Sequence, residues 1–168
     1  ATRYSHHVEA LNLNTGLPHA DYNRVDLSAS VPASDGSGDV HFLPNNSLSR
    51  SEVVFGATDL NPEGFLYVSF GNARDIQPWH GWVFELDVEN WRTDGATSAL
   101  TSVLLTTPET DCPVEGQSGS RDMICGGGVW APSGPVIYPY DGTFELIVPT
   151  GNGELNFNRK DYANTLMR

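Results

Sequence analysis

Basic residues are scarce in this 168-residue chain. Lys and Arg together number nine against 21 Asp and Glu, and Lys160 is the single lysine. The formal net charge of -12 argues against nucleic acid and anionic membrane surfaces as partners, because both reward basic surface. Long apolar runs are also missing. No stretch approaches the roughly 18 uninterrupted apolar residues of a membrane span, so membrane insertion is not expected. The opening Ala1-Thr2-Arg3-Tyr4-Ser5 lacks the apolar centre of a signal peptide, and the expectation is a soluble chain whose export signal has been removed. Sustained helical periodicity is lacking as well. Residues 156–168 have some helical character but form no apolar stripe.

What is present is turn chemistry. Gly 17 and Pro 11 beside 39% hydrophobic residues suit a turn-rich globular protein, and the length suits about one domain. Short β-branched and aromatic runs predict strands at 7–13, 52–57, 65–70, 82–88, 102–106, 136–138 and 143–149, with Gly, Pro, Asn and Asp between most of them. The fold class is all-β.

Cysteine is limited to Cys112 and Cys125, which flank a polar Gly/Ser-rich stretch. A disulfide between them would close a 14-residue loop, worth about 3 kcal/mol by chain entropy, and would place the chain in an oxidising compartment. Two free thiols in a cytosolic protein are the alternative. A zinc pair is disfavoured by the lack of neighbouring His or Cys. Asn45-Asn46-Ser47 is the one N-glycosylation sequon, which makes Asn45 a glycoprotein candidate.

Two motifs recur at nearly one spacing. Residues 8–16 align with 83–91, a displacement of 75 from Val8 to Val83, each reading as strand, Leu-Asx-apolar, then polar turn. Residues 63–72 align with 141–152, displaced by 78 from Glu63 to Asp141 and by 80 from Asn72 to Asn152. Each opens with acid-Gly, passes through an apolar strand and closes on Gly-Asn. A repeated all-β unit points to β-propeller blades, four-stranded antiparallel sheets that bury their faces on their neighbours.

The pattern acid-Gly-x-apolar-apolar-apolar-Val, followed by x-x-Leu-Asp-x-x-x-Gly, resembles the repeat of the pyrroloquinoline-quinone-like (PQQ-like) β-propellers. Residues 67–72, Asp75-Ile76-Gln77-Pro78-Trp79-His80-Gly81-Trp82-Val83-Phe84, Gly126-Gly127-Gly128-Val129-Trp130 with the following Ala131-Pro132-Ser133-Gly134-Pro135, and Thr150-Gly151-Asn152-Gly153 carry the likeness. It covers residues 50–168 well and 7–32 more faintly, and it is closest to a secreted or periplasmic branch of mostly unassigned activity. The resemblance implies a protein longer than this chain. Residues 1–168 then supply about two blades plus part of a third, with inserted loops near 28–50 and 107–128. Such an incomplete section leaves strand edges and apolar faces open, to be met by blades from another chain or from elsewhere in the same protein.

Asp75, Trp79, His80 and Trp82 form the densest cluster of unusual residue types. Pro78 and Gly81 confine its backbone. An acid and an imidazole there could ligate a metal, and Trp79 could stack on a sugar or a cofactor ring. The plainer reading has the tryptophans filling the gap between blades and His80 bonded to backbone. Gly126-Gly127-Gly128 before Trp130 permits close backbone approach to a ligand or to another strand, and tight packing is the simpler account. It is no phosphate loop, since the Lys-Ser/Thr of that motif is missing. His6-His7 would point to opposite faces of a strand. Gly116-Gln117-Ser118-Gly119 misplaces the glycine of a hydrolase elbow. The acids are scattered singly, so no glycosidase dyad is visible.

The resemblance implies PQQ and calcium as cofactors only if the chain belongs to a quinoprotein dehydrogenase. The vicinal Cys-Cys disulfide of those enzymes is absent, and neither their calcium ligands nor their catalytic Asp can be placed here. The leading expectation is therefore a non-catalytic extracellular binding or assembly scaffold, with carbohydrate or further copies as partners. A PQQ- and calcium-dependent alcohol or sugar dehydrogenase, and a structural subunit of an extracellular assembly, are the competing readings.

Overall fold

Two runs, Phe-Leu-Tyr-Val-Ser-Phe at 65–70 and Trp-Val-Phe-Glu-Leu at 82–86, are almost continuously apolar, which in a strand means burial on both faces. They form the centre of the structure. The computed structural model describes residues 4–72, 79–109 and 125–168. In chain order the elements are β1 (His6–Val8), β2 (Val25–Leu27), β3 (Ser30–Pro32), β4 (Asp39–His41), β5 (Ser47–Leu48), β6 (Val54–Gly56), β7 (Phe65–Asn72) and β8 (Trp82–Asp87). Helices α1 (Val88–Asp94) and α2 (Ala96–Ala99) follow, then β9 (Leu100–Leu105), β10 (Val136–Tyr140), β11 (Thr143–Pro149), β12 (Leu155–Asn156), β13 (Asp161–Tyr162) and β14 (Leu166–Met167).

The central sheet runs β7, β8, β9, all antiparallel, with β5 and β6 sharing the outer edge of β7. Phe70 lies opposite Trp82, and Trp82 opposite Leu105. Strand alternation then sorts the side chains. Val68, Phe70, Trp82, Phe84, Leu86 and Leu105 face the N-terminal hairpins β1–β2 and β3–β4, where they meet Val25, Leu27, Val40 and Phe42. Phe42 is the hub of this layer, 4.9 Å from Phe84 and 5.0 Å from Phe70 between ring centroids, both edge-on. Phe65, Tyr67, Val83 and Leu104 face the opposite way, against Ile137, Phe144, Leu146, Val148 and Met167 of a second sheet ordered β10-β11-β14.

The all-β expectation is met. The strands expected at 52–57, 65–70, 82–88, 102–106, 136–138 and 143–149 appear as β6 to β11 with shifts of a few residues at their ends. None of the sheets among the described residues closes on itself. The strand expected at 7–13 stops at Val8, because the Asn12 side chain accepts from Asn14 N at 2.9 Å and Thr15 N at 3.2 Å and turns the chain. Its repeat partner, Asp87, caps in the same way, accepting from Asn90 N at 2.8 Å, but there the turn continues into α1. Gly16, at φ 69°, stops the first turn, whereas Trp91 buries against Tyr22 and sustains the helix. The 28–50 stretch read as an inserted loop carries β3, β4 and β5. The C-terminal stretch with helical character folds instead as short strands.

The second repeat is spatially consistent. Gly64 and Gly142 take φ of 79° and 75° immediately before β7 and β11, the left-handed turn that glycine permits. Gly71-Asn72 closes β7 and Gly151-Asn152 follows the end of β11, and a Cβ on Gly71 or Gly151 would lie 2.9 or 2.8 Å from Trp130. One indole is thus held between the two repeat-related glycines. Phe84 is 0% exposed within the aromatic layer, so Phe84→Ala is expected to cost about 3–5 kcal/mol by urea denaturation. Leu60→Ala, at a site 97% exposed, is expected to stay within about 0.5 kcal/mol.

Candidate functional site

The glycine triplet determines what the loops around it can do. Residues 126–128 pass between 79–81 and 151–153, joined to them by isolated bridges from Gly126 to His80 and to Gly153. Gly126 N donates to Trp79 O and Gly81 N to Gly126 O, both at 3.0 Å; Gly127 N donates to Asn152 O and Gly151 N to Gly128 O, both at 2.8 Å. A Cβ on Gly81 would stand 2.0 Å from Gly127 O. Glycine is required here by backbone against backbone. The amides of Gly126 and Gly127, which might have cradled an anion, are spent inside the fold.

His80 is buried beside this segment. Its Nδ1 lies 2.8 Å from Thr107 O and 3.1 Å from Thr107 Oγ1, and a carbonyl can only accept, so Nδ1 carries the proton and donates. Enclosure pushes the imidazole down from 6.5 to about 4, which the bond to Thr107 only partly offsets. His80 is neutral at pH 7. Trp82 belongs to the aromatic layer and is 6.5 Å from His80 between centroids. Trp79 is buried and lies 6.3 Å from the half-buried Trp130, tilted by 31°.

Trp79, His80 and Trp82, read as one cluster, and Trp130, read separately behind the glycine triplet, lie near one another here, and protein fills the space between them. The recess lined by Trp79, His80, Trp82, His41, Leu43, Asn46 and Ser47 has a volume of about 10 Å³, room for one water. A tricyclic quinone does not fit it. Asp75 and Cys112 lie outside the described residues. Cys125 is fully buried and is not a free thiol. Asn45 is exposed in a turn, with the Ser47 hydroxyl of its sequon donating to Leu43 O at 2.9 Å.

Two features went unread in the sequence. The first is a cleft of about 260 Å³ between the central and second sheets, lined by Tyr67, Val83, Glu85, Ser102, Leu104, Phe144 and Leu146. Tyr67 OH donates to Glu85 Oε2 at 2.8 Å, and burial followed by that carboxylate pushes the phenol up. The second is a group of three acids, Glu109, Glu154 and Asp161, whose carboxylate oxygens lie within 4.8 Å of one another. Burial and then the neighbouring Glu109 and Glu154 push the Asp161 carboxyl up to about 7, with Arg159 pulling the other way. Glu109 is distant in sequence from Glu154 and Asp161, and nothing in the spacing of the three announces the group.

Comparison with protein families, with curated proteins and with solved structures gave no match.

His80 sets a pH dependence with a definite sign. Between about 4 and 6.5 the unfolded imidazole binds a proton that the folded one refuses, so the stability it contributes is complete above about 6.5 and lost as pH falls towards 4. Over that window the thermal midpoint of the wild-type chain is expected to fall more steeply than that of His80→Asn. The Asn amide keeps the donation to Thr107 O without titrating. Equal slopes would remove His80 as the source.

Proposed function

We propose that this chain is a section of a larger extracellular β-propeller and acts as a non-catalytic binding or assembly scaffold. One observation carries the reading. The outer face of the second sheet displays Val136, Tyr138 and Tyr140 from β10, and Ile147, Pro149 and Leu166 from β11 and β14, on one side, around an ion pair of Glu145 with Arg168. Val136, Tyr138, Tyr140 and Leu166 are each more than half exposed. The central sheet buries both of its faces, while this neighbour of similar antiparallel build buries one. A further blade against that face would repeat the packing already made between the two sheets.

Three other observations support it. Residues 65–72 and 143–152 share the glycine turn and the docking on Trp130. The Trp79, His80 and Trp130 cluster is filled by packing, as a scaffold needs and a cofactor pocket does not. The acidic surface favours solubility and basic or cationic partners. Extracellular location would go with a bond between Cys125 and Cys112.

In sedimentation, the 18.3 kDa chain is expected to self-associate, and Val136→Lys with Tyr138→Lys to return it towards monomer. A monodisperse wild-type monomer that binds no hydrophobic dye would overturn the open-face argument. Turnover of an alcohol or sugar with an electron acceptor, after addition of PQQ and calcium, would overturn the non-catalytic one. Alkylation of the unfolded, unreduced chain is expected to label neither cysteine; labelling of both would exclude the disulfide.

A further inference from the structure

Asp161 is 0% exposed, and no N–H or hydroxyl donor among the described residues reaches either of its carboxylate oxygens; the polar group beside them is another acid, Glu109. Burying an ionisable group without a donor is costly, by several kcal/mol, and native folds avoid it unless something else meets the charge. Its surroundings sharpen the problem. Glu109, 2% exposed, and the half-buried Glu154 direct carboxylate oxygens at the same point.

The three acids come from separate segments that backbone bonds lock together. Glu154 immediately precedes the hairpin β12–β13 and Asp161 lies in it, with Leu155 paired to Tyr162 and Asn156 to Asp161. Tyr162 N donates to Thr106 O at 2.9 Å, which ties that hairpin to the segment leading from β9 to Glu109. Glu154 N donates to Cys125 O at 2.8 Å. The carboxylates are thus positioned by the fold and not by attraction for one another. Among the described residues, Arg159 is the cation that pairs with them. It pairs with Glu109 from the solvent side, its own side chain 57% exposed. With all three acids ionised, they and Arg159 would carry two negative units among the described residues, and burial together with that excess holds the Asp161 carboxyl up at about 7.

We propose that Glu109, Glu154 and Asp161 form a binding site for calcium. A divalent cation balances the remaining charge and gives the Asp161 oxygens a positive partner. An all-carboxylate set selects a hard ion over zinc or copper, which prefer imidazole or thiolate. Oxygens on opposite sides of calcium, at its usual bond lengths, lie about 4.6–5.2 Å apart, and the three acids fall within 4.8 Å of one another. Magnesium keeps several waters and an octahedral shell, and the enclosure of Asp161 and Glu109 leaves little room for them. This site does not depend on the scaffold reading.

The test is calcium chloride titrated into the chelator-treated full chain, read by calorimetry and by thermal midpoint. The wild-type chain is expected to bind with a rise in midpoint, and Asp161→Asn and Glu154→Gln to bind at least tenfold more weakly. Arg159→Gln, which removes a competing cation from Glu109, is expected to bind more tightly. Should Asp161→Asn fail to fold, Glu154→Gln at the half-buried rim carries the comparison. No heat and no shift in the wild-type chain at millimolar calcium would overturn the proposal. So would unchanged affinity in the carboxamide variants, which would mean diffuse attraction to a chain of net charge -12. Magnesium binding as tightly as calcium would overturn the choice of ion.

Discussion

Burial of the central sheet on both faces is the constraint from which the other features follow. Phe70, Trp82, Phe84 and Leu86 on one side, and Tyr67 and Val83 on the other, cannot be covered by a single layer. The hairpins β1–β2 and β3–β4 are too short to be stable alone, and they are ordered because they lie on the first face. The second sheet lies on the other. Each chain segment thus has its place because β7 and β8 present apolar side chains on both faces.

That stacking also explains the crowded end of the structure. β7 and β11 finish side by side, so the space between Gly71 and Gly151 is just wide enough for the Trp130 indole. Residues 126–128 must then pass between two backbones with no room for a Cβ. The result is a dense wall in which His80 is neutral and Trp79 is buried. A ligand site there would need space that the packing has removed. Polar character is displaced to the margin of the wall, where Thr106 and Thr107 lead on to Glu109 and the β12–β13 hairpin brings in two further acids.

The legible parts of the fold were those with short-range causes. Six strands from β6 to β11 announced themselves through β-branched and aromatic runs bounded by Gly, Pro, Asn and Asp. The glycine turns before β7 and β11 were visible as a repeat. The Asn12 and Asp87 caps look alike in sequence, and their different outcomes depend on whether a residue a few positions on, such as Trp91, finds a core to enter. The short strands β2 to β5 escaped notice because two or three residues carry no periodicity of their own; they are strands by virtue of their partners.

The candidate site divides along the same line. The sequence by itself determined the all-β class, the acidic balance of charge and the local cluster of Trp79, His80 and Trp82, since these rest on composition and on residues adjacent in the chain. Tertiary structure alone decided that this grouping is packed solid, that the outer face of the second sheet stays open, and that Glu109, Glu154 and Asp161 meet. Electrostatic and steric interactions act through space over a few ångströms, and the chain positions that share that space are set by how the sheets stack.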